Sequence, residues 1–305
     1  MLDARRLEVL KAVVDAGSIT AAAQMLGFTP SAVSQSVSAL EREAKTALFE
    51  KVGRGIRPTQ AGLLLAEHAE LVLAQLREAE LALASLRAGQ AGRLRLAAFA
   101  TAGGALVPRA LAHFRSSHPA VELDFEMAET DEALARLRAG HIELAVIAQD
   151  VPAHDVDDRL AYTHLLDDPY RVVLPRTHRL GGRPEVDLAD LAEDPWIATA
   201  SARCNCTATV STACARAGFA PRFAMEADEF ATTVGFVAAE LGVAMVPLLA
   251  LSSIPDNVRV RRIREAEPVR HVYAVTRRQI ADQPALQAMH DALLVSAGSY
   301  LRVVA

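Results

Sequence analysis

Cysteine is scarce in this chain: three residues, Cys204, Cys206 and Cys214, odd in number and confined to one short stretch. They make no disulfide framework, and their rarity fits a reducing compartment. Long apolar runs are missing as well. No window approaches the ~18 uncharged apolar residues of a membrane helix, and residues 1–8 carry charge where a signal peptide needs an apolar core. A cytoplasmic location with no membrane partner is expected. There is no glycine-rich phosphate loop and no nucleophile elbow, and the nine histidines are scattered without metal-ligand spacing. No catalytic residue, metal or cofactor is therefore expected. Lysine is rare too, and its three copies, Lys11, Lys45 and Lys51, all lie near the N-terminus.

What is present is a chain of 305 residues, long enough for two or three domains. Its apolar fraction of 51% and charged fraction of 23% are those of an ordinary globular protein. The net charge of −5 is unevenly spread. Residues 1–60 carry eight Lys/Arg against six Asp/Glu, whereas residues 61–92 and the remainder of the chain are each net acidic. Only the N-terminal segment leans toward a polyanionic partner, and mildly.

Asp3 is placed to cap a helix carrying Leu7, Leu10, Val13 and Val14 at helical spacing. Gly17 stops it, and Ser18 caps a short alanine-rich helix over 19–26. After Gly27-Phe28, Thr29 caps a third helix with Pro30 at its first position. Two short helices across a turn of about three residues have helix-turn-helix spacing. Val33, Val37 and Leu40 face inward, leaving Thr29, Pro30, Ser31, Ser34, Gln35 and Ser38 to reach phosphates and base edges. An ordinary three-helix bundle with a solvated face remains open at this point. Residues 51–58 then form a basic hairpin in which Lys51, Arg54 and Arg57 are spaced as a DNA-contacting wing requires. Beside a helix-turn-helix, the functional reading prevails.

Thr59 opens a helix expected to reach about residue 88, some 43 Å at 1.5 Å per residue. Leu65, Ala69, Val72, Leu76, Ala79, Leu83 and Leu86 recur with a period of about 3.5 residues, the pattern of a dimer seam. Packing on the chain's own domain is the competing reading. Residues 89–92 form a glycine-bounded hinge. Beyond it, strand patterns at 94–99, 121–126, 144–147, 170–174, 196–199, 223–226, 243–247, 258–263 and 272–276 alternate with helical ones at 105–117, 129–139, 206–217, 229–241 and 282–300. That alternation predicts an α/β domain with parallel sheets, large enough for two lobes.

By this point the chain resembles the LysR-type transcriptional regulators over essentially its whole length. The resemblance rests on residues 16–23, Leu26, residues 29–35, Leu40-Glu41, residues 48–51, Arg54 and residues 58–62. Downstream it continues through Val107-Pro108, Phe114, residues 118–121, Leu134, residues 140–145 and residues 241–247. Gln35 and Lys51 stand where the family favours arginine, and Glu143 where aspartate is common. Lysine keeps the charge of arginine but not its bidentate fork.

The resemblance implies a winged helix-turn-helix over 1–58, a linker dimerisation helix over 59–89 and a periplasmic-binding-protein-like effector domain over 90–305. Its lobe I would comprise 90–163 and 268–305, and its lobe II 164–267. It further implies binding to double-stranded promoter DNA, a homodimer through the linker helix, tetramers assembled from such dimers, and a small-molecule effector in the inter-lobe cleft. Effector binding would shift an equilibrium between assemblies that contact DNA differently. RNA polymerase is admitted as a further partner.

In open α/β sheets ligands sit beyond the carboxyl ends of strands, near helix N-termini. The first such end offers the Thr101 hydroxyl with Ala102 and Gly103; Thr101 as a plain helix cap is equally open. Thr130 matches the family's second hydroxyl contact, beside Glu129. The other lobe would supply Thr199, Ser201, Arg203 and Cys204, with Arg203 able to pair with a carboxylate, and Phe230 and Thr232 closing the pocket. An alternative for the same fold is redox sensing through Cys204, Cys206 and Cys214, because a thiolate at a helix N-terminus is activated; ordinary packing or pocket lining is the simpler reading. An enzyme lacks its motifs here, and a solute-binding protein would need a signal peptide and has no use for the fused helical segment.

Overall fold

The structure, a computed structural model, describes residues 2–52, 55–88, 92–150, 157–199, 206–264 and 267–304. The side chains of residue 78 and of 81–88 and 301–304 are left aside. Among the described residues no helix is long and apolar enough to cross a membrane. The chain divides into two compact units: residues 1–93 with 135–142, and residues 94–134 with 143–305.

The first unit begins with α1 (Ala4–Ala16), α2 (Ile19–Leu26) and α3 (Pro30–Ala44). Each start is capped as its sequence requires. The side chains of Asp3, Ser18 and Thr29 accept from the backbone N–H of Arg6, Ala21 and Ala32. Gly17 and Gly27 end α1 and α2 in the left-handed region, at φ of 65° and 69°. Ala22 and Ala23 are fully buried, and only such small side chains let α2 lie close against Val9, Val13, Val33 and Val37. A hairpin follows, β1 (Phe49–Val52) antiparallel to β2 (Gly55–Pro58). The long helix α4 (Gln60–Ala88) then packs on α1, with Ala66 and Ala69 joining Leu7, Leu10, Leu40 and Leu48.

The linker-helix stripe divides here. Ala69 is buried in the chain's own core and Leu65 packs against it, whereas Val72 and Leu76 are each 45% exposed. The competing reading, packing on the chain's own domain, holds for the turn at Leu65 and Ala69, while the turns at Val72 and Leu76 stay open to a partner. Gly92 adopts a positive φ of 116°; the rest of the expected hinge lies outside the described residues.

The second unit is built on β3 (Arg93–Ala98), α5 (Ala100–Ala105), α6 (Val107–Ser117), β4 (Glu122–Met127), α7 (Thr130–Arg138), β5 (Leu144–Gln149) and β6 (Leu160–Pro175). It continues through β7 (Glu185–Val186), β8 (Pro195–Thr199), α8 (Cys206–Arg216), β9 (Arg222–Ala227), α9 (Phe230–Ala238) and β10 (Ala244–Pro247). It ends with β11 (Val258–Ile263), β12 (Val269–Arg277) and α10 (Pro284–Val304). The main sheet runs β4-β3-β5-β12-β6-β11-β7, with β10 also on β6, while β8 and β9 pair separately.

Two sequence expectations need correction. The main sheet is mixed rather than parallel: β3 and β5 are parallel, but β12 is antiparallel to β5 and β6, and β10 and β11 are antiparallel to β6. Strand β6 also begins at Leu160, well before the expected residue 170. Asp167, Asp168 and Pro169 look like a strand break by composition. The break is avoided because Asp168 is neutralised by a partner from β12 and Pro169 sits where β6 changes neighbours. As far as Pro169, β6 pairs with β12; from Tyr170 it pairs with β10 and, from Val172, with β11. One strand therefore carries the chain from one half of this unit to the other. The first half is cored by Leu96, Phe114, Leu144, Leu293 and their neighbours, the second by Trp196, Tyr170, Val172, Cys214 and theirs.

Candidate nucleic-acid interface and effector pocket

On α3 the hydrophobic period fixes what is left for a partner. Val33, Val37 and Leu40 are buried, so Pro30, Ser31, Ser34, Gln35 and Ser38 are exposed on the opposite face, with Thr29 exposed at the cap. The hairpin is tied to this helix by one carboxylate. Glu41 Oε1 accepts from the backbone N–H of Leu48 at 2.8 Å and of Phe49 at 3.2 Å, which fixes where β1 starts. Thr59 closes the hairpin's other end, its N–H donating to Leu48 O and its hydroxyl to Ala47 O, both at 2.9 Å. Gly62 completes the joint: a Cβ there would lie 2.1 Å from Leu48 O. Lys51 is exposed on β1, and Arg57 is exposed on β2 while pairing with Glu50 at 2.9 Å. Arg54 lies outside the described residues.

In the second unit Thr101 sits in the first turn of α5, half-buried, with Ala102 and Gly103 buried beside it. It is not the helix cap, a position that Phe99 holds, and Arg270 Nη2 donates to its Oγ1 at 2.6 Å. Gly103 has no room for a side chain: its Cβ would meet Met127 Sδ at 2.7 Å. The Thr130 hydroxyl is already engaged twice with Ala148, donating to its carbonyl at 3.0 Å and accepting from its N–H at 3.2 Å. Thr199 is buried with its hydroxyl 2.9 Å from that of Thr233, and its carbonyl accepts from Thr207. Phe230 begins α9 and packs on the cluster of Ile197, Val234 and Val246, while Thr232 is exposed. Ser201, Arg203 and Cys204 lie outside the described residues.

Two polar features of this unit were not visible in sequence. Arg270 and Asp168 form a buried ion pair at 2.8 Å, Asp168 Oδ1 also accepts from Leu249 N–H, and the guanidinium lies 4.9 Å from the Phe99 ring centroid. Burial pushes the Asp168 carboxyl up, against the opposing pull of Arg270 and the Leu249 amide. A charge at the start of a strand looks solvated in sequence; only the antiparallel pairing of Arg270 with Asp168 places it beside Thr101. Thr209 on α8 likewise reaches Asp150, beyond β5, at 3.3 Å.

The description "LysR substrate binding domain" matches residues 87–297, and "Bacterial regulatory helix-turn-helix protein, lysR family" matches residues 4–63. The chain belongs to the LysR family. It is a DNA-binding transcriptional regulator of that type. Among curated relatives, a probable HTH-type transcriptional regulator LrrA from Synechococcus elongatus is 32% identical over 83% of each chain. The HTH-type transcriptional regulator CbbR of Sinorhizobium medicae is 28% identical over 98% of this chain and 95% of its own. A probable RuBisCO transcriptional regulator of Cyanophora paradoxa is 33% identical, over 63% of this chain and 59% of its own length. Full-length OxyR from Pseudomonas aeruginosa shares the fold at TM-score 0.63 and 22% identity over 96% of this chain and 95% of its own. CbnR, a LysR family transcriptional regulator, does so at 0.60 and 21% over 97% and 99%.

Within this LysR-type regulator the two described cysteines are in different states. Cys206, the first residue of α8, is disulfide-bonded, whereas Cys214 is a free thiol whose burial pushes it up to about 12. Glu143, where the family favours aspartate, receives Arg95: its Oε2 accepts from the Arg95 backbone N–H at 2.8 Å and from its Nε at 3.2 Å. The longer carboxylate holds β3 to β5.

Proposed function

We propose that this regulator works in the cytoplasm as a homodimer joined through α4, and as a tetramer of such dimers, reading promoter DNA with α3 and the wing. A small-molecule effector bound between the halves of residues 90–305 changes how that assembly sits on DNA. The observation that carries the reading is the division of α3 into a buried aliphatic stripe and an exposed row of short hydroxyl and amide side chains. Such side chains enter a major groove without filling it. For the effector, the support is Arg270: its guanidinium is already held by Asp168 and Phe99, and its contact with Thr101 aims it at the residues expected to line the pocket. With Asp168 balancing its charge, the guanidinium offers hydrogen-bond donors rather than net charge to a ligand carboxylate.

The test is a footprint and a salt titration on the promoter region that this regulator occupies. Ser34→Ala should weaken specific binding more than binding to random DNA, and Arg54→Ala should weaken both and lower the salt slope by about one phosphate contact. Unchanged footprints in both variants would remove the assignment of reading helix and wing. For the pocket, anionic metabolites should raise the melting temperature of the wild type and not of Thr101→Val; equal stabilisation of both means the ligand binds elsewhere. A second reading, redox control at Cys206, is favoured by its disulfide. It predicts that reductant alone alters the footprint, and that Cys206→Ser abolishes that response.

A further inference from the structure

Strand β6 contains an irregularity with a chemical consequence. The register with β12 runs Asp167 opposite His271 and Leu166 opposite Val272, then skips, so that His164 rather than Leu165 lies opposite Tyr273. In a regular strand residues three apart point to opposite faces. The extra residue cancels that alternation. Leu165 and Leu166 both go into the core, and His164 comes round to the exposed face of Asp167 and His271.

The result is a convergent triad. His164 Nε2 lies 2.8 Å from Asp167 Oδ1 and His271 Nδ1 2.7 Å from that same oxygen. The three donor atoms all fall within 4.8 Å of one another. Four-coordinate zinc, with bonds of about 2.0–2.1 Å to nitrogen and oxygen, needs ligand atoms roughly 3.3 Å apart. A carboxylate shift of about half an ångström opens the two N···O distances to that spacing, and rotation of the exposed His164 side chain is what sets the two nitrogens at it. The ring edge of Tyr273 packs against His164, with centroids 5.3 Å apart, and helps to orient that imidazole.

We propose that His164, Asp167 and His271 bind a divalent transition-metal ion that clamps β6 to β12 at the point where β6 changes partners. Two imidazoles and one carboxylate select zinc, copper, nickel or cobalt over magnesium or calcium, which prefer all-oxygen sites. Asp167 and His164 are about half exposed, at 58% and 48%, so the fourth position is open to water. On the neighbouring positions of the same two strands, Asp168 and Arg270 hold Thr101 and Leu249. An ion here thus fixes the strand pair that carries the polar contacts of the effector pocket.

The experiment uses the full untagged chain, stripped with chelator and titrated calorimetrically with zinc chloride, and with magnesium chloride as the control. The proposal expects one equivalent of zinc, a raised melting temperature and no competition by magnesium. His164→Ala, Asp167→Asn and His271→Ala should each lose about tenfold or more in zinc affinity. His113→Ala, an exposed histidine on α6, should lose none. All three side chains are at least partly exposed, so melting curves in chelator should stay near the wild type and separate loss of metal from loss of fold. Copper(II) on the wild type should give nitrogen hyperfine splitting in electron paramagnetic resonance, absent from the His164→Ala His271→Ala double variant. The proposal is overturned by absence of saturable zinc binding, by competition from magnesium at equal concentration, or by undiminished zinc affinity in the double variant.

Discussion

Cys214 shows how far one side chain's surroundings decide its chemistry. It lies inside α8 with no exposed surface, against Trp196, Val210 and Met245. Desolvation pushes its thiol from 9.0 up to about 12. In the folded protein it stays protonated where an unfolded chain would ionise. The linkage follows: Cys214 leaves stability unchanged below about pH 9 and subtracts from it progressively as pH rises above that value. Urea melts between pH 7 and pH 10.5 should show that extra loss in the wild type and not in Cys214→Ala, measured as the difference between the two variants. Thiol reagents at pH 8 should modify Cys214 only at the rate of unfolding; rapid labelling of the native protein would contradict its burial. A redox role for all three cysteines together is thereby disfavoured, leaving Cys206 as the residue on which the second reading rests.

Among elements, the wing depends on a residue outside it. Glu41 satisfies the N–H groups of Leu48 and Phe49, which the two-stranded hairpin cannot pair itself. Glu41→Ala leaves both partly buried donors unmet and should cost about 1–3 kcal/mol in chemical denaturation, with a drop in affinity for all DNA sequences alike. Glu41→Gln, which keeps one acceptor oxygen, should recover most of the stability. The joint also shows what sequence could and could not convey. Helices α1 to α3 were legible because cap residues, glycine stops and a 3.6-residue period all act within a few residues of one another. The face of α3 followed from the same period. Strand β6 was not legible, because its acids are neutralised by a strand 102 residues later. The histidine triad was hidden twice, by a spacing that looks wrong for a strand and by a separation of 104 residues between Asp167 and His271. Thr130, expected by resemblance to meet an effector, also pairs with the backbone of Ala148, a contact no local pattern announces.

For the whole molecule the question is what α4 presents outside its own unit. Its buried side chains, Ala66, Ala69 and Ala74, are small, while Leu63, Leu64, Val72 and Leu76 are large and exposed. Of these, Val72 and Leu76 stand one turn apart on the same face, and large aliphatic groups left in water in that way are the pattern of an unfilled interface. Val72→Glu Leu76→Glu should therefore shift the sedimentation coefficient from that of a dimer or larger to that of a monomer, leave the melting of the isolated fold nearly unchanged, and weaken binding to a two-fold symmetric site by about tenfold or more. An unaltered sedimentation profile would place the interface on another surface. The face of α3 opposite Val33, Val37 and Leu40 has a different bearing. Ser31, Ser34, Gln35 and Ser38 hold up none of the core, so exchanging them leaves the fold's stability almost untouched. Selection can thus retarget this chain to new operators one substitution at a time, passing through no unstable intermediate, while the scaffold beneath is inherited unchanged.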